Sequence, residues 1–406
     1  MTGGTRSYEM ARRLVQRGHE VHMVTSHTDP AGGARKSWTQ TDEMGIRVHW
    51  WPVPYANRMN FSRRMRAFCE FAWRAASRAA TLDGDVVFAT STPLTVALPG
   101  IHAARKSGVP FVFEVRDLWP ELPIAVGALK SRTARTAARL LERYAYQQAS
   151  HIVALSPGIK AGVMQGPVTT DQVTVIPNSC DFDLFEVHDD RGAKFRQRYD
   201  WLGHRPLVVY TGTLGMINGV DYLPRLAAEM VRLNPEVRFL VVGSGQQESF
   251  IRAQAKRMDV LDRNFFTCGS VAKDQIPAVL SAADVATSLF IDLPEMRNNS
   301  ANKFFDALAA GTPIVINHEG WLADLIRERG LGLVLDPADF SKAAQKLNVF
   351  LQNRERMSRA ATAARRAGRE LFDRDLLASR LENVLLNATG RAASRVRGVS
   401  ELKTAA

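Results

Sequence analysis

The sequence has few cysteines, no long apolar run and fewer acidic than basic residues. Its three cysteines, Cys69, Cys180 and Cys268, lie far apart, so they provide neither a disulfide framework nor a zinc-ligand spacing. No run of about 18 apolar residues occurs and no secretory leader opens the chain, so we expect no membrane-spanning segment. These absences favour the reducing cytoplasm as the location.

The charge balance points to acidic partners. The formal net charge is +12 and the sequence pI is about 9.9. Such a balance favours nucleotide diphosphates, an anionic membrane surface or nucleic acid as partners. Apolar residues make up 46% of the sequence, which is enough for packed cores. The length of 406 residues suits two domains.

Short apolar strands alternate with amphipathic helices along the chain, a pattern that predicts parallel sheets and an α/β fold. We predict two Rossmann-like domains that face a cleft. The predicted boundaries are 1–182 for the first domain, 183–204 for a charged, loop-like linker, 205–370 for the second domain, 371–387 for a helix that could return to the first, and 388–406 for a disordered tail.

The stretch from Glu295 to Ile316 contains the strongest local signals. A polar loop leads to a helix that Ser300 is placed to cap, with Phe304, Phe305 and Leu308 at helical spacing. Gly311-Thr312-Pro313 ends the helix, and residues 314–316 read as a buried strand.

This helix start predicts an anion site. Lys303 lies in the first turn, where free N–H groups and the helix dipole favour a negatively charged group such as a diphosphate. Asp306, one turn later, could accept hydrogen bonds from ribose hydroxyls. The alternative is an amphipathic core helix whose lysine and aspartate are merely on the surface, and the local pattern leaves both open.

Further candidate residues follow predicted strands. Arg116 and Asp117 come directly after the strand at 110–115, where open α/β sheets bind ligands, although a structural salt bridge would also explain Arg116. Glycine-rich turns that could present backbone N–H groups to a phosphate follow other strands. Their candidate residues are Thr211, Gly212, Thr213 and Gly243. Gly3, Gly4 and Val271 are further donor-binding candidates that rest on the family resemblance given below.

These motifs resemble the retaining, family 4 glycosyltransferases of the two-domain GT-B architecture. That family carries a glutamate, seven residues, a second glutamate and a small-residue run that ends Gly-x-Pro. In this sequence Asn298 and Asp306 occupy the two glutamate positions. The segment 302–313 and the sequence FEVRDLWPE at 113–121 resemble the subgroup that makes bacterial surface polysaccharides.

The resemblance implies transfer of a sugar from a nucleotide-diphosphate sugar, with retention, to a polyprenyl-linked or saccharide acceptor at the inner membrane face. It implies no metal and no side-chain nucleophile. Glu295, Arg297 and Asn298 would lie at the donor sugar, Lys303 and the loop of Gly3 and Gly4 at the diphosphate, Asp306 at the ribose and Val271 at the base. Asn302 would be a further donor-binding residue. Together with Arg116 and Asp117, the residues Glu295, Arg297 and Lys303 are the predicted catalytic group.

The sequence departs from the family pattern in three places. Arg116 stands where these enzymes often have histidine. Thr213 and Asn218 stand where a basic pair commonly holds the diphosphate. No residues for the strand expected before Gly3 and Gly4 precede them, so either the true start lies upstream or the strand was lost, and we predict a gap or a substitute at the centre of the first sheet.

Two other segments allow two interpretations each. Asp181 and Asp183 spell the Asp-x-Asp of metal-dependent glycosyltransferases but fall where the resembled family has its linker. The basic, aromatic segment 58–74, with Phe61, Trp73 and arginines 63, 66 and 74, could lie on a membrane or pack as a core helix.

Two rival functions remain at this stage. A nucleotide-sugar epimerase of the same architecture would act on the donor without any acceptor. A nucleic-acid-binding protein is suggested by the high pI alone, and no recognisable nucleic-acid motif supports it.

Overall fold

A computed structural model describes residues 6–28, 37–54, 59, 61–91, 93–185 and 190–390. The chain divides into two compact units: unit 1 is Met1–Pro177 with Asp375–Ala406, and unit 2 is Asn178–Arg374. The first change of unit therefore falls a few residues before the predicted domain end at 182. The predicted α/β class with two Rossmann-like domains is confirmed.

Unit 1 contains two separate sheets within its described residues. One has the order β1-β3-β2, with β1 and β3 parallel and β2 antiparallel, and the other is the parallel sheet β4-β5-β6-β7. The break agrees with the gap predicted for the first sheet. The strands are β1 Val21–Thr28, β2 Thr39–Glu43, β3 Ile46–Val53, β4 Val87–Thr90, β5 Phe111–Val115, β6 His151–Ala154 and β7 Val173–Val175.

The helices of unit 1 cover these sheets with amphipathic faces. On α2 Ala67, Ala72 and Ala75 are buried while Trp73 is exposed. The first six helices are α1 Arg6–Gln16, α2 Phe61–Ala79, α3 Ala97–Ser107, α4 Glu121–Ala125, α5 Arg132–Gln148 and α6 Pro157–Val163. None of the described helices in the chain is both long and apolar enough to cross a membrane.

Unit 2 is built on one unbroken sheet of six parallel strands, in the order β10-β9-β8-β11-β12-β13. Every residue of β8, β9, β11 and β12 is buried, as expected for parallel strands covered on both faces. The strands are β8 Leu207–Thr211, β9 Arg238–Val242, β10 Phe265–Cys268, β11 Val285–Ser288, β12 Ile314–Ile316 and β13 Gly332–Val334.

The described residues of unit 2 form nine further helices: α7 Phe182–Phe185, α8 Asp190–Arg196, α9 Tyr222–Leu233, α10 Glu248–Arg257, α11 Ile276–Ala282, α12 Asn302–Ala310, α13 Trp321–Arg329, α14 Phe340–Gln352 and α15 Arg354–Phe372. The last helix, α16 Arg374–Ala388, belongs to unit 1 from Asp375 onward. Within unit 1 its Asp375 forms an ion pair with Arg13 of α1, and its Glu382 pairs with Arg17, just after α1, at 2.9 Å.

Two local expectations differ from the structure. The region after 189, predicted as loop, contains α8, which buries Phe195 and sets Gly192 against the backbone of Ser281. Ser300 does not cap α12, because the N-cap residue is Ala301 and no side chain caps it. Ser300 is buried, and its hydroxyl accepts from the amide of Asn178 at 3.4 Å.

Candidate active site

The centre of the unit 2 sheet provides a ligand crevice. The chain runs outward from β8 through β9 to β10 on one side, and from β11 through β12 to β13 on the other. The connections after β8 and β11 therefore diverge, which opens a crevice beyond the carboxyl ends of these neighbouring strands. Two predicted regions belong to these connections: the Thr211-Gly212-Thr213 turn follows β8, and α12 is the next α-helix after β11.

Glycine lets the turns after β8 and β9 pack backbone against backbone. Gly243 has φ +149°, and a Cβ there would lie 1.9 Å from the carbonyl oxygen of Gly212. Gly212 has φ +138°, and a Cβ there would lie 3.3 Å from Cε of Lys303. Gly212 and Thr213 are exposed. The turn thus brings main chain, without side-chain bulk, to the lysine.

Lys303 is half-buried at the start of α12. Its Nζ donates to the hydroxyl of Tyr210 at 2.9 Å and to Oδ1 of Asn218 at 3.2 Å. It also lies 4.6 Å from the centroid of the Tyr210 ring. Burial lowers the pKa of Lys303 to about 8, an effect that nearby Asp306 partly opposes. An ammonium has three N–H donors, and these contacts use two of them.

The first turn of α12 adds to this positive character. No side chain caps the helix, and Asn302 at its first position is exposed. The uncapped amide groups and the helix dipole favour an anion at the same end that carries Lys303. The arrangement suits a diphosphate held by backbone N–H groups and one ammonium.

Asp306 faces a different set of charges from Lys303. Burial raises the pKa of Asp306 to about 6, while Lys273 and Arg374 act to lower it and Asp181 acts to raise it. Arg374 donates to Asp181 at 2.7 Å, and Lys273 lies 3.8 Å from the same carboxylate. Lys303 also acts to lower the pKa of Asp306, so the two ionisable side chains of α12 affect each other, while Lys273, Arg374 and Asp181 act on Asp306.

The segment with Glu295, Arg297 and Asn298 forms a 3₁₀ helix, Pro294–Asn298. Met296 anchors it by burial, whereas Arg297 is exposed and Glu295 half-buried. Gly320, at φ +110°, lies so close that a Cβ there would sit 2.3 Å from the Arg297 carbonyl oxygen. The indole of Trp321 donates to the Asn299 carbonyl at 2.9 Å. This packing fixes the backbone of the predicted sugar-facing segment.

Unit 1 presents Arg116 and Asp117 at the carboxyl end of β5. The Arg116 amide donates to the Ser91 hydroxyl at 2.9 Å. Within the described part of the chain, the Arg116 guanidinium forms no ion pair, so the salt-bridge interpretation of this residue gains no support. The predicted Gly3 and Gly4 lie outside the described residues, and Val271 lies half-buried beyond β10 in unit 2.

Asp181 of the Asp-x-Asp sequence is bound by basic side chains, Arg374 and Lys273. Asp183 lies in the short helix α7. In the described ranges, no three His, Cys, Asp or Glu side chains come close enough together to hold a metal ion.

The sequence did not identify Tyr210 as a neighbour of Lys303 or Lys273 as a neighbour of Asp306. Tyr210 is the last but one residue of β8, and its contact with Lys303 spans 93 positions. Only the position of Tyr210 immediately before a glycine turn could have signalled it.

Comparison with family models divides the chain in the same way as the structure does. Residues 2–179 match the glycosyl transferase 4-like domain, and residues 193–367 match the glycosyl transferases group 1 domain.

Among known proteins, the chain is 26% identical over 335 residues to 2-deoxystreptamine glucosyltransferase from Streptomyces kanamyceticus, covering 81% of this chain and 79% of that protein. It is also 26% identical over 329 residues to the GDP-mannose-dependent alpha-(1-6)-phosphatidylinositol monomannoside mannosyltransferase of Mycobacterium tuberculosis, covering 72% and 82%. The solved structure of sucrose-phosphate synthase from Thermosynechococcus elongatus shares the fold, with a TM-score of 0.75, 17% identity, and 94% and 93% coverage.

Proposed function

We infer the function of this chain from its family, because it belongs to the glycosyltransferases of GT-B architecture that join a glycosyl transferase 4-like domain to a group 1 domain and use a nucleotide sugar. From this membership we propose that it transfers the sugar to a polyprenyl-linked or saccharide acceptor, with retention, in the synthesis of a surface polysaccharide. The observation that carries the proposal is the half-buried Lys303 ammonium at the uncapped start of α12, beside the turn after β8.

The charge that develops in the reaction explains why this lysine matters. When the bond between the sugar and the diphosphate breaks, negative charge grows on the leaving oxygens. Lys303 and the amide groups of α12 are already oriented, so they stabilise that charge without reorganising. Glu295, Arg297 and Asn298 would orient the donor sugar, Asp306 the ribose, and the backbone at Val271 the base.

Retention fits a site that positions groups and has no nucleophile. The acceptor hydroxyl attacks the anomeric carbon on the face that the diphosphate leaves, and its proton passes to the departing diphosphate oxygen. The carbon–diphosphate bond breaks while the carbon–acceptor bond forms, so no other reactant is required. Positioning and charge stabilisation then supply the catalysis, and we propose that no metal takes part.

The basic face of α2 supports a lipid-linked acceptor. Trp73 is 77% exposed, and Arg63 and Arg66 are exposed on the same helix. An exposed indole beside arginines suits the headgroup region of an anionic membrane. Arg74 lies over the Trp51 ring at 4.7 Å, and the side chain of Phe61 lies outside the description. We propose peripheral association with the inner face of the cell membrane.

Two steps test the function. Nucleotide sugars with different bases are first screened for thermal stabilisation, because a ligand of the folded state raises stability by mass action. The best donor is then incubated with lipid extracts or saccharides, with and without EDTA, and the anomeric configuration of the product is determined by NMR.

The expected product keeps the anomeric configuration of the donor and forms equally in EDTA. A product of inverted configuration would overturn retention, and loss of transfer in EDTA would overturn the metal-free mechanism. Conversion of the donor into an isomer without any acceptor would point to an epimerase instead.

A further inference from the structure

We propose that Tyr210 and Asn218 are positioning residues that hold the Lys303 ammonium in a neutral clamp and direct its remaining N–H toward the donor diphosphate. This inference rests on the proposed function, since it assigns residues to the same site. It concerns how the single lysine is kept charged and oriented, and neither residue needs to touch the substrate.

The clamp is a closed ring of hydrogen bonds. Lys303 donates to the Tyr210 hydroxyl at 2.9 Å and to Asn218 Oδ1 at 3.2 Å. Tyr210 then donates to the Thr213 carbonyl at 2.8 Å, and Asn218 Nδ2 donates to the same carbonyl at 2.9 Å. Each acceptor of the ammonium is therefore itself oriented by a donor bond to one fixed backbone oxygen.

The absence of a carboxylate from this ring decides what the ammonium can do. A directly paired aspartate or glutamate would neutralise the lysine and compete with a phosphate for it. The tyrosine hydroxyl, the amide oxygen and the ring face at 4.6 Å stabilise the cation without cancelling its charge. The ammonium keeps one N–H that no side chain of the described residues accepts.

The surroundings of the clamp make the charged form of Lys303 less favourable than it would be in water, because burial lowers its pKa. Tyr210 is buried at the end of β8, and Asn218 is half-buried in the turn after it. Among the described residues the charged group that acts on Lys303 is Asp306, on the same helix, which raises the lysine pKa against the larger effect of burial. The clamp therefore supplies acceptors to an ammonium that is partly removed from water.

Asn218 therefore acts differently from the basic residue that commonly stands at this position in the family. A basic side chain there would repel Lys303 at the 3.2 Å that now separates Asn218 Oδ1 from Nζ. Asparagine instead accepts from the lysine through its amide oxygen and donates to the Thr213 carbonyl through its amide nitrogen, which a basic side chain cannot do.

The test compares Tyr210→Phe with Tyr222→Phe. Tyr222 is a matched control, because it is a buried tyrosine of the same unit whose hydroxyl donates to the Asp336 carbonyl at 2.7 Å, away from Lys303. Asn218→Ala is the second clamp variant, and thermal unfolding verifies that each variant is folded. The rate at which an acylating reagent modifies Lys303 is measured against pH by mass spectrometry, in enzyme without donor.

We expect Tyr210→Phe to lower the apparent pKa of Lys303, because it removes an acceptor that favours the charged form. The turnover number should fall on the order of tenfold, the scale of a hydrogen bond to a charged group, with a smaller change in the Michaelis constant for the donor. Asn218→Ala should act in the same direction, and Tyr222→Phe should change neither quantity.

Unchanged Lys303 reactivity and an unchanged pH profile in folded Tyr210→Phe and Asn218→Ala would overturn the clamp. That outcome is distinct from failure of the proposed function, which would appear as wild-type enzyme that binds no nucleotide sugar. A loss of stability without any shift in Lys303 reactivity would show that the two residues serve packing alone, and would also overturn the proposal.

Discussion

The two units place charged residues at the carboxyl ends of their sheets, but they use them differently. In unit 2 the half-buried Lys303 donates to two neutral acceptors and keeps one N–H that no side chain of the described residues accepts. In unit 1 the buried guanidinium of Arg6 has a structural role. It pairs with Glu114 at 2.8 Å and donates to the Ile176 carbonyl at 2.8 Å. The same kind of side chain thus supports chemistry in one unit and chain geometry in the other.

The construction of the sheets explains this difference. The unit 2 sheet is continuous, so the turns after β8 and β9 converge with α12 on one crevice. The described sheets of unit 1 are separate, and the Arg6–Glu114 pair joins α1 to β5 and to the residues just after β7. We infer that unit 2 supplies the charge stabilisation and that unit 1 supplies binding surface.

The largest test of this contrast is Lys303→Ala. We expect the turnover number to fall roughly a hundred- to a thousand-fold, or about 2.7–4 kcal/mol, because one preorganised contact to developing charge is lost. Lys303→Arg should rescue activity only partly, given the different shape of the guanidinium. Steady-state kinetics with the identified donor measure both.

Lys346→Ala is the matched control, since this lysine of unit 2 donates to the Val334 carbonyl at 2.8 Å and lies outside the site. The contrast between the units would be reversed if Lys303→Ala kept near-normal turnover while Arg116→Ala abolished it. The diphosphate would then be held from the side of unit 1.

A second test removes the close approach of the two glycine turns. Gly243→Ala would place a Cβ 1.9 Å from the Gly212 oxygen at φ +149°. We expect it to lower the free energy of unfolding by about 2–4 kcal/mol, from overpacking and backbone strain together. Chemical denaturation measures this change.

Gly269→Ala provides the control in the turn after β10, because a Cβ there meets nothing within 4 Å. It should be neutral or nearly so. Equal stability of the two variants would show that the backbone contact between the turns after β8 and β9 is not a requirement of the crevice.

The fold was largely predictable, because its signals are local. The α12 helix ends at Gly311 with φ +67°, and β12 occupies residues 314–316, as the spacing indicates. Helix α8 was missed because its sequence is mostly charged and buries only Gly192 and Phe195. Ser300 was misassigned as a cap because its partner Asn178 lies 122 positions away.

The site was only half predictable for the same reason. The place of Lys303 in a first helical turn follows from the residues around it. Its partners do not, because Tyr210 and Asn218 approach it only once β8 and β11 are neighbours in the sheet. The distinct surroundings of Asp306 likewise depend on Arg374, 68 residues further along.

A third test concerns the binding surface that we assign to unit 1. Reversing Arg63 and Arg66 together to glutamate should weaken binding to anionic vesicles by more than about 2 kcal/mol, or roughly thirty-fold, at about 1 kcal/mol for each basic residue. Lys106→Glu with Lys130→Glu is the control, because both lysines are exposed in unit 1 and the charge change is equal. Flotation at low and high salt measures binding, and equal loss in both double variants would leave α2 without a special role.

The smallest expected effect concerns the pH dependence of activity, which distinguishes the titration of Asp306 from that of Lys303. Burial raises the pKa of Asp306 to about 6, from a usual value of 3.8, and lowers that of Lys303 to about 8. If both must be ionised to bind the donor, kcat/KM should decline below about pH 6 and above about pH 8. Asp306→Asn should cost a few-fold to about tenfold in kcat/KM at pH 7 and abolish the acidic limb, while the alkaline limb remains.

Stability gives an independent reading of the same substitution. With a folded pKa above the unfolded one, Asp306 binds more protons in the native state between about pH 4 and pH 6, so its contribution to stability falls as pH rises through that window. Asp306→Asn should therefore be at least as stable as the wild type at pH 7, with the difference disappearing below about pH 4. Asp274→Asn, at an exposed aspartate next to Lys273, should change neither profile. An acidic limb that persists in Asp306→Asn would assign that titration to another group and remove Asp306 from donor binding.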